Sequence, residues 1–413
     1  MEEPVQLSIV RFFKGAHIFV EGKKNSDFFF IIQQGRVMVL NEEETEFSKE
    51  EILGPGDFFG VVSTMSSHSH IESVIALSNV KLIKVLKSQY VGLIQRNTPL
   101  AIKIIKQFSK KLRQLNQTLA KKTLKSSAED DDPSHLFNVG EYYYSQKQME
   151  LAYYAYYKYI KHCPNGKNIE KTRGRISGLD RYKSKVKTEY DDNNLNRLYF
   201  KNSLLFAEGE PGDELFVIQK GSIKITKIVN NKEVLLAVLK EGDILGEMAL
   251  LEGKPRAASA LTYEDCVVMA VNKSNFEIMI KTQPQLIARV TILLAERIWL
   301  IYKQLANTAI INPLGRMYDA LLIQLEKNRV YTEEQSSYTF SFGPDELSNM
   351  IGVHRMDGRN FIGGIIKTGR IKLINDKIHA VSVQEIAKQA EFYRRISGGD
   401  RSRHGNRWVR GDY

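Results

Sequence analysis

The chain opens with short apolar runs that are separated by turns rich in glycine. Apolar residues fill most of 18–20, 28–32 and 37–40; Gly22 and Gly35 follow the first two runs, and glycines recur at 54, 56 and 60. Short strands divided by turn residues predict a small β-sandwich or barrel. Apolar residues then recur in steps of three and four between 102 and 119, which predicts a helix with one apolar seam.

The same pattern returns later in the chain. Residues 205–209 echo 18–22, and residues 216–221 echo 30–35. The segment 242–246 repeats 56–60 at an offset of 186 residues, from Gly56 to Gly242. A repeat of that length predicts a duplicated domain instead of a solenoid.

A helical segment is predicted between the two copies, after a polar, acidic linker at 126–133. Small and aromatic residues there follow the spacing of a tetratricopeptide repeat: Gly140, Tyr143, Ala152, Tyr156 and Pro164. One such hairpin cannot bury its apolar face alone, so we expect it to dock on a neighbouring domain. The tyrosine-rich run 153–159 favours packing within the hairpin, with peptide binding or base stacking as the alternative.

After the second copy, steps of three and four predict a long helix from about Pro284 to Ala306. Its seam consists of Ile287, Val290, Leu294, Ile298, Ile301 and Leu305, a coiled-coil-like pattern suited to pairing. Further elements are predicted in the order helix, strand, helix, helix and hairpin: 317–325, 338–342, 344–353, 354–366 and 371–381, the hairpin turning at Asn375-Asp376.

The net charge of the chain indicates which class of partner to expect. The chain has 413 residues and a net charge of +11, with a pI of about 9.3, which favours a polyanionic partner, either nucleic acid or an anionic membrane surface. Arginines concentrate near the end, at Arg394, Arg395, Arg401, Arg403, Arg407 and Arg410, so we predict a disordered basic tail over 391–413. Two scattered cysteines, no signal-peptide pattern and no membrane-length apolar run indicate a cytoplasmic protein without a membrane partner.

One stretch near the middle of the second copy predicts an anion site. Gly246 lets the backbone approach a ligand, a helical turn from Glu247 would point amide groups at a phosphate, and Arg256 adds a bidentate cationic fork. A carboxylate at Glu247 makes sense if the ligand also carries a hydroxyl, such as a ribose 2′-OH. No P-loop, metal-ligand cluster or nucleophile elbow is present in the sequence, so we expect a binding protein, not an enzyme, and no metal.

Residues 246–250 followed by 255–259 resemble the phosphate-binding cassette of cyclic-nucleotide-binding domains, as in protein-kinase-A regulatory subunits and the catabolite activator (Crp/Fnr) family. The resemblance implies that Glu247 holds the ribose hydroxyl and that Arg256 holds the cyclic phosphate, helped by backbone amides. The implied site is Gly246, Glu247, Met248, Ala249, Arg256, Ala257, Ala258, Ser259 and Tyr302. Cyclic AMP is the favoured ligand and cyclic GMP the alternative.

The first copy departs from this cassette. At the offset of 186, Val61 stands in place of Glu247 and His70 in place of Arg256, while Ser73 matches Ser259. We therefore predict a structural or relay role for the first copy. A different ligand, or a metal held by His68 and His70, are the alternatives.

The last part of the chain resembles the winged helix-turn-helix of the Crp/Fnr family, with Gly352 at the turn. The family pairs two subunits through the long helix, and its second recognition-motif helix enters the DNA major groove. The resemblance implies a homodimer and these DNA contacts: His354, Arg355, Arg359, Asn360 and Lys367. Met356 replaces the family's glutamate, so we expect that the domain reads a different DNA sequence, binds DNA weakly or has kept the fold for another contact.

The sequence thus predicts an α+β multidomain chain with two jelly-roll-like β-rolls. The predicted domains are a degenerate roll at 1–125, linker and hairpin at 126–188, a nucleotide-binding roll with dimer helix at 189–307, a winged helix-turn-helix at 308–390 and a tail at 391–413. The predicted function is a cyclic-nucleotide-responsive, homodimeric transcription regulator that binds double-stranded DNA. The alternative is a nucleotide-binding adaptor that recruits a protein partner through the hairpin and tail.

Overall fold

The computed structural model describes residues 7–23, 27–40, 51–124, 132–190, 195–229, 231–330, 336–353 and 355–405. The chain divides into two compact units. One contains Met1–Gln114 and Ser126–Ile298, and the other contains Leu115–Lys125 and Trp299–Tyr413. No helix in the described ranges is both long enough and apolar enough to cross a membrane.

The first roll consists of two four-stranded antiparallel sheets followed by helices. Its elements are β1 (Ser8–Phe12), β2 (His17–Phe19), β3 (Phe28–Gln34), β4 (Val37–Leu40), β5 (Glu51–Leu53), β6 (Phe58–Phe59), α1 (Val61–Ser66), β7 (Ser73–Ala76), β8 (Val80–Leu86), α2 (Tyr90–Arg96) and α3 (Thr98–Leu124). The sheets have the orders β1-β8-β3-β6 and β2-β7-β4-β5. Alternate residues such as Phe30, Ile32 and Leu82 point into one core, as the apolar pattern predicts.

The second roll repeats this topology. Its elements are β9 (Asn196–Tyr199), β10 (Leu204–Phe206), β11 (Glu214–Lys220), β12 (Ile223–Val229), β13 (Lys232–Leu239), β14 (Ile244–Leu245), α7 (Glu247–Glu252), β15 (Ser259–Thr262), β16 (Cys266–Asn272), α8 (Lys273–Thr282) and α9 (Pro284–Thr308). The sheet orders are β14-β11-β16-β9 and β10-β15-β12-β13, which match the first roll strand for strand. The predicted duplication is therefore confirmed in the fold.

Three helices lie between the rolls in sequence: α4 (His135–Ser145), α5 (Met149–His162) and α6 (Ile169–Ser177). Gly140 of α4 faces the ring of buried Tyr156 on α5, and a Cβ atom at Gly140 would lie 2.5 Å from that ring. The apolar face of the hairpin shares a core with Leu204, Ala207 and Leu261 of the second roll. As expected from its size, the hairpin buries that face against a neighbouring domain.

The second unit contains a helical core with a small sheet. Its elements are α10 (Pro313–Lys327), β17 (Tyr338–Thr339), α11 (Pro344–Met350), α12 (Arg355–Lys367), β18 (Ile371–Ile374), β19 (Lys377–Ala380) and α13 (Val383–Gly405). Gly352 has φ +66°, which ends α11 in a tight turn before α12. Asn375 and Asp376 both have positive φ, the geometry of a two-residue hairpin turn.

The tail differs from the prediction. Instead of becoming disordered at 391, the chain continues α13 through Gly405, and residues 406–413, with Arg407 and Arg410, lie outside the described residues. Val383, Ile386 and Ala390 are buried on one face of α13, and Arg394 pairs with buried Asp319 at 2.5 Å. These buried residues precede position 391, and the arginine-rich composition beyond it led to the prediction of disorder.

The close approach of α4 and α5 generates a stability prediction. We expect Gly140→Ala to lower the midpoint of urea unfolding, because forcing a methyl group against the Tyr156 ring costs about 1–3 kcal/mol. That cost exceeds the gain of about 1 kcal/mol that alanine brings to a helix. Gly174→Ala is the matched control, since Gly174 lies on α6 with no atom within 4 Å of its Cβ position, and we expect it to raise the midpoint. An unchanged or raised midpoint for Gly140→Ala would contradict the packing argument.

Candidate nucleotide-binding site

Arg256 is the centre of the site in the second roll. It lies in the loop between α7 and β15 and is only 5% exposed. Its Nη1 donates to the carbonyl oxygen of Gly246 at 2.6 Å, and its Nη2 donates to the carbonyl oxygen of Glu214 at 2.8 Å. The guanidinium carbon lies 4.3 Å from the ring centre of Phe206, a cation–π distance. The cation is therefore fixed in one orientation.

Two glycines make room for this guanidinium. A Cβ atom at Gly246 would lie 2.5 Å from Nη1 of Arg256, and one at Gly212 would lie 2.4 Å from its Cζ. Gly246 also has φ +79°, a conformation that other residues adopt at a cost. Glycine is required at 246 on both grounds; the approach of a ligand to this backbone stays a prediction.

Glu247 begins α7 directly after Gly246 and is 1% exposed. Its Oε1 accepts a hydrogen bond from Nη1 of Arg297 on α9 at 2.8 Å. Arg297 also donates to the carbonyl oxygen of Ile244 at 3.3 Å. The buried carboxylate is thus paired with a cation from the long helix, which joins α9 to the cassette.

Glu210 lies on the opposite side of Arg256 and receives contacts from the helical hairpin. The Tyr154 hydroxyl lies 3.1 Å from Oε2 of Glu210, and Lys158 forms an ion pair with Oε1 at 2.9 Å. Burial raises the pKa of Tyr154, and the Glu210 carboxylate adds to this rise, so the phenol stays protonated and donates. The backbone amide of Arg256 donates to the carbonyl oxygen of Glu210 at 2.8 Å. Helix α5 therefore supports the loop that holds Arg256.

Burial also acts on the protonation of Arg256 itself. It lowers the pKa of the guanidinium, whereas the nearby carboxylates of Glu210, Glu214 and Glu247 act in the opposite direction. A cation removed from water is costly unless it is paired. The surrounding carboxylates and carbonyl oxygens reduce that cost.

The other predicted site residues occupy the same stretch of backbone. Met248 and Ala249 lie in α7, and Ala257 and Ala258 form the bend after Arg256. Ser259 is buried and accepts a hydrogen bond from the Glu208 amide at 2.9 Å, so its hydroxyl is used within the roll. Tyr302 lies on the part of α9 that belongs to the second unit and is 7% exposed; its contact with a base stays a prediction.

The first roll has the same backbone but different chemistry at the equivalent position. His70 stacks on Phe19 with ring centres 4.1 Å apart, where Arg256 lies over Phe206. The Phe19 ring fills the space beside Gly60, since a Cβ there would lie 2.4 Å from it. Burial lowers the pKa of His70, and Glu72 only partly opposes this, so the imidazole is neutral at pH 7. Ser73 accepts from the Glu21 amide at 2.9 Å, as Ser259 does from Glu208.

The predicted DNA-contacting residues lie on or beside α12. His354 and the side chain of Arg355 lie outside the described residues. Asn360 and Lys367 are exposed. Arg359 is also exposed but forms a bidentate pair with Asp345 of α11, at 2.9 and 3.1 Å. Gly358 is buried against Ser348, where a Cβ would lie 2.0 Å from the hydroxyl oxygen, so this glycine permits the crossing of α11 and α12.

Sequence reasoning missed the residues that reach the cassette from other elements. These are Arg297 on α9, and Tyr154 and Lys158 on α5. Only Arg297 leaves a signal in the sequence, as a charged residue next to the apolar seam position Ile298. Among the described residues, no three His, Cys, Asp or Glu side chains are grouped closely enough to hold a metal ion.

Comparison with known proteins identifies the two rolls. The family described as "Cyclic nucleotide-binding domain" matches residues 9–97 and again residues 196–283. A CRP-like cAMP-activated global transcriptional regulator of Mycobacterium tuberculosis is 26% identical over 189 residues, which cover 45% of this chain and 84% of that protein. The cAMP-activated global transcriptional regulator CRP of Escherichia coli is 27% identical over 171 residues, 41% of this chain and 79% of that protein.

Among solved structures, a CRP/FNR family transcriptional regulator from Thermus thermophilus is 21% identical, with a TM-score of 0.37. The match covers 48% of this chain and 98% of that one. From the two domain matches and the two curated relatives, this chain contains two cyclic nucleotide-binding domains and is a homologue of the Crp/Fnr family of transcriptional regulators.

Proposed function

We propose that this chain is a transcription regulator that binds a cyclic nucleotide in its second roll and double-stranded DNA through α12. The observation that carries the nucleotide site is the fixed, buried guanidinium of Arg256 between Gly246 and Phe206. Two Nη groups of one planar cation suit the paired oxygens of a phosphate. Cyclic AMP is the ligand we propose, with cyclic GMP as the alternative.

Glu247 is the residue that we assign to the ribose hydroxyl. A carboxylate beside a phosphate is unfavourable by itself, and the ion pair with Arg297 offsets that repulsion. Because Arg297 lies on α9, a nucleotide that engages Glu247 would alter the contact between the cassette and the long helix. A ligand shifts a conformational equilibrium only through its different affinity for the two states, and this contact is where such a difference would arise.

DNA binding is proposed for α11, α12 and the β18–β19 hairpin as a winged helix-turn-helix. The turn at Gly352, the crossing of α11 and α12 at Gly358 and the exposed Asn360 and Lys367 support the proposal. Lys372 and Lys377 are exposed on the hairpin and suit contacts with DNA phosphates. His354 and Arg355 stay in the proposed contact set on the family resemblance alone.

The homodimer stays part of the proposal because a two-fold-symmetric DNA site needs two copies of α12. However, the surface through which the two chains would pair cannot be the seam that the sequence predicts on α9. The seam residues Ile287, Val290, Leu294 and Ile298 are at most 5% exposed within a single chain. A second chain would therefore pair through another surface.

The second candidate function is a nucleotide-binding adaptor that acts through a protein partner. The bidentate pair of Arg359 with Asp345 favours it, because this arginine is engaged inside its own unit and away from a base edge. Selection of fragments from sheared genomic DNA, with and without cyclic AMP at physiological salt, separates the two functions. A shared two-fold-symmetric sequence that is recovered only with the nucleotide supports the regulator, and equal recovery of unrelated fragments supports the adaptor.

The nucleotide site is tested by Arg256→Lys, which keeps the charge and removes the planar fork. We expect the dissociation constant for cyclic AMP, measured by titration calorimetry, to rise about 100-fold, or about 2.7 kcal/mol. Lys273→Ala, at an exposed position at the start of α8, is the control and should change the constant less than about threefold. Wild-type affinity in Arg256→Lys would mean that the phosphate is held elsewhere.

The DNA proposal is tested by releasing Arg359 with Asp345→Asn. We expect tighter DNA binding and a salt dependence steeper by about 0.9 in log–log slope, because one more cation reaches a phosphate. Glu391→Gln is matched in charge and releases Arg395 of α13, which pairs with Glu391 at 3.8 Å outside the proposed DNA-contacting elements. Equal gains in the two variants would show a general effect of charge and argue against α12 as the DNA-contacting helix.

A further inference from the structure

Helix α3 of the first roll contacts the cassette of the second roll. The Nε of Arg113 forms an ion pair with Oε2 of Glu252 at 2.9 Å, and both of its Nη atoms donate to the carbonyl oxygen of Pro255 at 3.3 Å. One turn earlier on α3, the Ser109 hydroxyl donates to Oε1 of Glu252 at 3.1 Å. Both carboxylate oxygens of Glu252 are thus held by the first roll.

These contacts fall on the short segment that leads to Arg256. Glu252 is the last residue of α7, Gly253 turns the chain with φ +67°, and Pro255 directly precedes Arg256. On its other side, the carbonyl oxygen of Arg256 accepts from the Gly209 amide at 2.8 Å. Residues 252–256 therefore form a strap between the cassette helix and the phosphate-binding arginine, and α3 anchors it at Glu252 and at Pro255.

Burial makes the position of α3 and the position of the strap depend on each other. The side chain of Arg113 is 3% exposed and that of Glu252 is 11% exposed. A buried charge that loses its partner is strongly destabilised, so the strap cannot move without either moving α3 or breaking this pair. A second contact joins the rolls at a different place, between the buried hydroxyl groups of Tyr90 on α2 and Thr291 on α9, 3.0 Å apart.

We propose that the first roll controls the nucleotide site of the second roll from within the same chain, with Arg113 as the positioning residue that holds the strap at 252–256. This inference rests on the proposed nucleotide site. It gives the first roll a role that needs no ligand of its own, in agreement with the neutral His70 and the Phe19 ring at its equivalent position. Nucleotide binding at Arg256 and the anchored position of α3 are then coupled, so that each stabilises the other.

The test uses the full chain and cyclic AMP as the probe. Arg113→Met removes the charge and the donors but keeps an unbranched side chain, and we expect the dissociation constant in calorimetry to rise at least tenfold. Arg113→Lys keeps the ion pair with Glu252 and should recover part of the affinity. Lys110→Met changes an exposed lysine of the same helix and should leave the affinity unchanged.

Amide hydrogen exchange distinguishes a positioning role of Arg113 from a general contribution of Arg113 to stability. In the wild-type chain, cyclic AMP should slow amide exchange in α3, and Arg113→Met should remove that ligand-dependent protection. A variant that was merely less stable would exchange faster throughout and still show slowing by the nucleotide. If Arg113→Met does not fold by circular dichroism, Ser109→Ala carries the test, with an expected affinity loss of about threefold, the effect of one lost hydrogen bond.

The outcomes distinguish this inference from the proposed function. Wild-type affinity and wild-type protection of α3 in Arg113→Met would overturn the inference and leave the nucleotide site standing. Absence of cyclic AMP and cyclic GMP binding in the wild-type chain would overturn the proposed site and the inference together.

Discussion

The burial of one cation, Arg256, sets the requirements that the rest of the second roll meets. A guanidinium away from water must find acceptors, and this one finds the carbonyl oxygens of Gly246 and Glu214 and the face of Phe206. Acceptors so close to the cation demand glycine at 246 and 212. Because these groups lie on strands and at the start of α7, the guanidinium is held in one orientation within the roll.

The two rolls show how one backbone supports two chemistries. Both place a glycine with positive φ before a six-residue helix, at Gly60 and Gly246, and both bind the amide of a glutamate with a serine hydroxyl. In the first roll an aromatic stack between Phe19 and His70 replaces the cation. The fold is thus maintained by packing that needs no charge, which leaves the first roll suited to a supporting role.

Local sequence patterns predicted much of this structure. They did not predict the contacts between residues that are far apart in the sequence. The hairpin turn at Asn375-Asp376 and the short runs that make up the cassette and each copy of the repeat depend on residues that are close together in the sequence. By contrast, Arg297 is 50 residues from Glu247, and Arg113 is 142 residues from Pro255. The helical tail was missed for another reason: the buried residues of α13, Val383, Ile386 and Ala390, all precede position 391, and beyond it arginines dominate the composition.

The seam of α9 also shows what a local sequence pattern leaves undetermined, namely the element that covers an apolar face. Spacing in threes and fours establishes that a helix has an apolar face, but it does not say whether that face is covered by another chain or by its own. Here the seams of α3 and α9 are buried in one chain that already holds two rolls: Ile104, Ile105, Phe108 and Leu112 on α3, and Ile287, Leu294 and Ile298 on α9. The described residues of one chain therefore already bury these seams, so an apolar seam on α9 does not by itself require a second chain.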